Sequence, residues 1–197
     1  MTWSVDPEIG SRYIMNSLKG QLLVFSPEIA DDNFAETVII LVEHTDDGAY
    51  GLILNQPTDL TVKDAWAQNH DTPCGIEASV YAGGPCGGFL TALHTEQAAA
   101  NIKVAPGIYY TQEPNKLAQL VSQLADPVKF FVGFAGWDEG QLETELKEGF
   151  WLTTPASLGE IFAYGDELWP SLVKKTHGEK MISMLKIKHK PDDPSSN

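Results

Sequence analysis

Residues 37–57, TVIILVEHTDDGAYGLILNQP, decide how the rest of this chain must fold. Two apolar runs, VIILV at 38–42 and LIL at 52–54, flank the turn-rich TDDGA at 45–49. β-Branched residues bounded by an Asp/Gly cluster predict a β-hairpin with a loop of roughly five residues. In the first run both alternating faces are apolar, Val38/Ile40/Val42 on one and Ile39/Leu41 on the other. A strand with two apolar faces needs cover on both sides, which places the hairpin in the interior of its sheet. It is a scaffold and names no reaction.

Upstream, GQLLVFS at 20–26 reads as a strand closed by Pro27, and DDNF at 31–34 as a polar turn. Before it, Asp6-Pro7-Glu8 looks like the start of a helix ending near Gly20, with Asp6 as cap and Pro7 in the first turn. Downstream, Thr61 and Asp64 have N-cap and first-turn chemistry for a helix over 61–69, where Val62, Ala65 and Trp66 fall at helical spacing. A strand at 78–82 runs into GGPCGG at 83–88, and two further strands follow at 89–94 and 107–111. Leu117, Leu120, Val121 and Leu124 form the core-facing stripe of a helix over 115–124.

After Pro127, residues 128–135 read as another central strand. Asp138 and Gln141 have capping-box spacing, so a helix is expected from Asp138. In that helix Leu142 and Leu146 face the core, Gln141 and Glu145 share a face at i, i+4, and Glu143 with Lys147 makes a surface pair. Residues 150–153 form a short strand, and helices are expected over 155–163 and 167–176, the second with Pro170 in its first turn. Residues 180–189 fit either a last helix or an edge strand. The tail 191–197, PDDPSSN, has the composition of a disordered segment. No repeat or linker divides the chain, so one domain is expected over residues 1–190.

Composition bounds the function. The 197 residues are 43% hydrophobic and 10% aromatic, enough for a substantial core. No basic segment followed by an apolar run opens the chain, and no apolar run approaches the roughly 20 residues that span a bilayer. The reading is a cytoplasmic protein without a membrane partner. Net charge is −14, but residues 174–190 alone carry +5 and the remainder −19, and Arg12 is the only arginine. Duplex DNA is gripped by Lys/Arg on phosphates and read by Arg on bases, so tight direct nucleic-acid binding is not expected. Any weak binding would fall to the 174–190 segment.

Chemistry is sparse. Cys74 and Cys86 lack CxxC spacing and read as free thiols of a reducing compartment. The five histidines supply no HxxxH or similar cluster, so neither a metal site nor a cofactor is expected. There is no GxSxG elbow, and Ser26 has no base beside it in sequence. Glu43 and His44 are the most catalytic-looking pair, yet neighbours on a strand point to opposite faces. His44 reads as bracing the hairpin loop, and Asn55 as capping a turn before Pro57. The glycines at 83–84 let backbone approach closely and fit either an anion cradle or a tight connection between strands, but the run lacks GK[ST] and GxGxxG.

Three motifs, in order, resemble the bacterial YqgE/AlgH family. The first is Gly20-Gln21-Leu22-Leu23 with Asp32, Phe34, Thr37-Val38, His44, Gly48-Ala49 and GLILNQP at 51–57. The second is Gly83-Gly84-Pro85, and the third is Gly136-Trp137-x-x-Gly140-Gln141-Leu142-Glu143-x-Glu145. Together they span roughly residues 18–165; Cys86 departs from the aliphatic residue usual after GGP, and Gly87-Gly88 is also unusual there. The resemblance implies an α+β fold: a mixed, bifurcated β-sheet curled into a pseudo-barrel with helices packed outside. It implies no established enzymatic activity; some members are described as transcriptional regulators of exopolysaccharide production, by an unclear route.

The absence of a nucleophile–base–orienter set favours a binding or regulatory module, acting on transcription indirectly, over a small-molecule enzyme with a polar cleft. The candidate ligand- or partner-binding residues are Asn55, Gln56, Gly83, Gly84, Trp137, Gln141 and Glu145. They sit on three turns expected to converge on one cleft for a protein partner or small ligand.

Overall fold

The computed structural model describes residues 17–30, 34–68, 72–123, 126–163 and 165–187. The strands of its first half are β1 (Gln21–Phe25), β2 (Val38–Thr45), β3 (Gly48–Ile53), β4 (Pro57–Thr61) and β5 (Ser79–Ala82). Those of its second half are β6 (Cys86–His94), β7 (Ile102–Ala105), β8 (Ile108–Thr111), β9 (Val128–Asp138) and β10 (Trp151–Pro155). The helices are α1 (Val62–Ala67), α2 (Pro114–Ser122), α3 (Gln141–Lys147), α4 (Leu158–Ile161) and α5 (Leu168–Ile187).

The expected hairpin is β2–β3, antiparallel, with Ile40 opposite Leu52; pairing runs on to Thr45 opposite Gly48, so the loop is the two residues Asp46 and Asp47 rather than the expected five or so. The hairpin lies inside a sheet ordered β10-β1-β2-β3-β9-β6-β8-β7. The two apolar faces of β2 are both covered, as the pattern requires. Leu22, Val24, Val38, Ile40, Val42, Leu52 and Leu54 point into the curl of the sheet, with Tyr110 and Phe131 from the far strands and Leu168 and Leu172 of α5. Leu23, Phe25, Ile39, Leu41 and Ile53 face outward and are sealed by Trp137, Trp151 and Leu142 of α3. A third core joins Trp66 of α1 and Leu117, Leu120 and Val121 of α2 to Val80, Ala92 and Phe130. The curl brings β7 against β2 and the residue before β1: a Cβ on Gly20 would lie 2.7 Å from the Val104 carbonyl oxygen.

The bifurcation is made by β9. Its second half, Ala135 to Asp138, pairs antiparallel with β3, while Phe131 and Val132 pair parallel with β5, which also pairs with β4. β6 runs along the other side of β9. The sheet is therefore mixed, with the five α-helices of the described residues packed around a curled half-barrel: the α+β class expected from the resemblance.

Several local expectations need correction. The helix after β9 starts at Gln141, not Asp138, because Asp138 is still paired with Gly48; Gly140, at φ 72°, is the N-cap and no side chain caps it. Only the return arm of the expected capping box forms, the Asp138 N–H donating to Gln141 Oε1 at 3.1 Å. The capping box instead occurs at Ser157 and Glu160, which start the four-residue α4. Residues 180–187 continue α5 rather than forming a separate element. β4 and β7 were not anticipated: Pro57–Thr61 opens on a proline and has one large apolar residue, and Ile102–Ala105 is largely apolar but only four residues long. The expected N-terminal helix from Asp6 to near Gly20 and the tail from 191 lie outside the described residues, apart from the helix's last positions from 17 on.

Candidate functional site

The seven candidate residues fall in three places rather than one. Trp137 registers opposite Ala49, which in turn is opposite His44 at the loop end of β2. Asn55 sits at the other end of β2, its Oδ1 accepting from the Val38 N–H at 3.0 Å. Six residues of strand separate Val38 from His44, about 20 Å at roughly 3.3 Å per residue. One first shell cannot bridge that distance.

At the loop end, Trp137, Gln141 and Glu145 form a hydrogen-bonded knot. Glu145 Oε2 accepts from both indoles, Trp137 Nε1–H and Trp151 Nε1–H, each at 2.8 Å, and its Oε1 accepts from Gln141 Nε2 at 2.9 Å. Both tryptophans are buried, so their N–H groups must find an acceptor, and a carboxylate on the facing helix supplies it. Glu143, one helical face away, reaches His44 Nε2 at 2.7 Å rather than pairing with Lys147. The Leu18 N–H donates to His44 Nδ1 at 3.0 Å, so Nε2 carries the proton given to Glu143. Both ring nitrogens are thus committed. His44 joins three segments and has no nitrogen left to act as a base.

The Gly83-Gly84 turn is a backbone crossing. A Cβ on Gly83 would lie 2.2 Å from the Gly133 carbonyl oxygen, and one on Gly84 would lie 2.2 Å from the carbonyl carbon of Phe134. Two backbone segments pass at a separation only glycine permits, where β9 changes partner from β5 to β3. Gly83 also accepts from the Ile53 N–H at 2.9 Å. The Gly83 N–H is spent inside the sheet, donating to Val132 O at 2.9 Å.

The third place is a hollow at the foot of the hairpin. Ala35, Glu36, Asn55, Gln56, Asp166 and Trp169 line a cleft of about 190 Å³. A smaller recess shares Asn55 and Asp166 with it and is closed by Leu54, Pro57, Tyr81, Ala163 and Gly165. Asn55 holds the mouth in shape, donating Nδ2–H to Glu36 O at 2.7 Å while its Oδ1 fixes Val38. Gln56 is exposed at the rim and its carbonyl accepts from the Ala82 N–H. Trp169 is anchored by Nε1–H on the Phe25 carbonyl at 2.9 Å.

Behind the recess lies Lys129, only 2% exposed. Its ammonium donates to Leu54 O at 3.2 Å and Ala163 O at 2.8 Å and stands 4.4 Å from the Tyr81 ring centroid. Burial away from water disfavours its charge and holds its pKa down to about 8. Sequence reading missed Lys129, Asp166 and Trp169. The one available signal was a lone lysine in the apolar strand VKFFVGFAG. The pKa gives a pH test. The unfolded chain still binds this proton up to the ordinary lysine range, so native stability rises with pH from 8 to about 10.5 and is lost on the way down. Relative to Lys129→Met, the native protein should gain about 2–3 kcal/mol between pH 7.5 and pH 10 in urea titrations. A pH-independent difference would place the ammonium in water.

Among the described residues Cys74 and Cys86 are free thiols, and no group of three or more His, Cys, Asp or Glu is placed to hold a metal ion. Among them, too, no helix is long and apolar enough to cross a membrane.

Fold and site define a curled α+β sheet protein whose signature residues knot the sheet to a helix at the loop end of the hairpin and line a small polar hollow at its foot. The profile of a family described as AlgH-like (DUF179) matches residues 22–181, and the chain belongs to that family. A UPF0301 protein of Hahella chejuensis is 34% identical over 175 residues, covering 87% of this chain and 89% of the relative. Another, from Idiomarina loihiensis, is 37% identical over 75% of this chain and 84% of its own. The solution structure of AlgH from Pseudomonas aeruginosa superposes with a TM-score of 0.70 at 26% identity, covering 92% of this chain and 98% of that one. A crystal structure from Corynebacterium diphtheriae shares the fold, with a TM-score of 0.66 at 23% identity over 83% and 89% of the two chains.

Proposed function

We propose that this AlgH-like protein is a binding or regulatory module that holds a polar group of a partner protein, or a small ligand, in the hollow at the foot of the hairpin, without covalent chemistry. The observation that carries the reading is the hollow itself, with Asn55 and Gln56 on its wall and rim. Of the seven candidates, these two are the contacts; Gly83, Gly84, Trp137, Gln141 and Glu145 serve the architecture that holds them. At about 190 Å³ the hollow is smaller than the roughly 300–1,000 Å³ of sites that enclose a cofactor or drug-sized molecule. It suits one side chain or a compact metabolite.

Regulation of transcription, in this reading, is indirect and cytoplasmic, because an acidic body with one arginine is poorly equipped to grip DNA. A second reading, an enzyme acting on a small molecule, is favoured by one observation, the buried lysine of lowered pKa behind the recess. A thermal-shift screen against metabolites, nucleotides and short peptides separates them. A ligand bound by the native state alone raises the melting temperature, and a binding module leaves it chemically unchanged. Turnover of a stabilising compound would decide for the enzyme, and a screen without any stabilising compound would reject the hollow as a site.

A further inference from the structure

We propose that the hollow takes a cation: the guanidinium or ammonium group of one basic side chain on a partner polypeptide. This rests on the reading of the hollow as the binding site and names the chemistry it selects. Two of its six lining residues are carboxylates, Glu36 from the turn before β2 and Asp166 from the turn before α5. Among the described residues neither has an ion-pair partner; the pairs present are His44–Glu143, Lys63–Glu77, Lys116–Glu113 and Lys175–Glu160. Exposed carboxylates are common on an acidic surface and mark nothing alone. Here they line one open hollow together with Trp169.

Trp169 lines the same hollow as the two acids; it is half-buried, and its indole is held in place through Nε1–H on Phe25 O at 2.9 Å. An indole face and carboxylates together form the environment that a guanidinium satisfies, stacking its plane while its N–H groups find acceptors. The amide oxygen of Gln56 adds a further acceptor at the rim, while that of Asn55 is held by the Val38 N–H. The volume admits one long side chain and little more. Lys129 lies behind the recess and opposes a second cation, but it faces two backbone carbonyls and a ring, and the two acids outnumber it. Outside residues 174–190 the chain carries −19, which steers basic segments toward it over long range.

The test is a titration of ¹⁵N-labelled protein with N-acetyl-arginine methylamide, its lysine and glutamate counterparts, and the citrulline compound, a neutral isostere of arginine. Arginine is expected to shift the Trp169 indole N–H and the backbone amides of Glu36, Asn55, Gln56 and Asp166. Citrulline should bind about tenfold more weakly, because it lacks the charge that strengthens each hydrogen bond. The glutamate compound should leave these signals in place. The double variant Glu36→Gln/Asp166→Asn, with both sites exposed, should keep its spectrum elsewhere and lose about tenfold in arginine affinity. Citrulline or glutamate binding the hollow as tightly as arginine would overturn the cation inference while leaving the hollow a binding site. No shift there with any of the four would also overturn it, and the thermal-shift screen then decides separately whether the hollow binds anything else.

Discussion

Glu145→Ala should cost about 2–6 kcal/mol of unfolding free energy, because it strands two buried indole N–H groups at about 1–3 kcal/mol each. Both Trp137 and Trp151 donate to one carboxylate oxygen, and no other acceptor for either is present among the described contacts. Their edge-to-face packing, with ring centroids 6.2 Å apart, ties β9 to β10 across α3, so the loss spreads through the outer core. Glu145→Gln keeps one oxygen acceptor and should lose less than half as much. Urea denaturation of the three proteins checks both values. A loss below 1 kcal/mol for the alanine variant would show that the knot is ornamental and would reopen Trp137 and Gln141 as ligand contacts.

Ile40→Ala is the second large effect, at about 2–5 kcal/mol. Ile40 is fully buried on the inner face of β2, between Leu22 and Leu52 in register, and its removal leaves a cavity where the hairpin meets the barrel interior. Both faces of β2 are packed, so neighbouring strands have little freedom to collapse into the space. A measured loss below 1 kcal/mol would contradict the central position of the strand.

The hairpin was legible because its signal is local: two apolar faces in VIILV can only mean cover on both sides. α2 was legible for the same reason, through Leu117, Leu120 and Val121. The start of α3 was misplaced because Asp138 and Gln141 carry capping-box spacing while strand pairing to Gly48 holds Asp138 extended. Glu143 was assigned to Lys147 at i, i+4, although its partner is His44, 99 positions away. Sequence spacing orders neighbours on one helix and is blind to what a curled sheet brings opposite.

The site was legible only in part, for the same physical reason. Asn55 and Gln56 stood out as polar residues after an apolar strand. Asp166 and Trp169 complete the hollow from more than 100 residues further along, and nothing in their own neighbourhood marks them. The glycines at 83–84 were recognised as a close approach; what approaches is the backbone at Gly133 and Phe134, not a ligand.

The central claim is that the hollow binds while the knot supports, and one measurement separates the two roles. The strongest stabilising compound from the thermal-shift screen is measured again against Gln56→Ala/Asp166→Asn and against Gln141→Ala. The expected result is that its melting-temperature increment disappears in the hollow variant and survives in Gln141→Ala, whose baseline melting temperature alone falls. An increment that survives in the hollow variant and vanishes in Gln141→Ala would contradict the account and move the site to the knot.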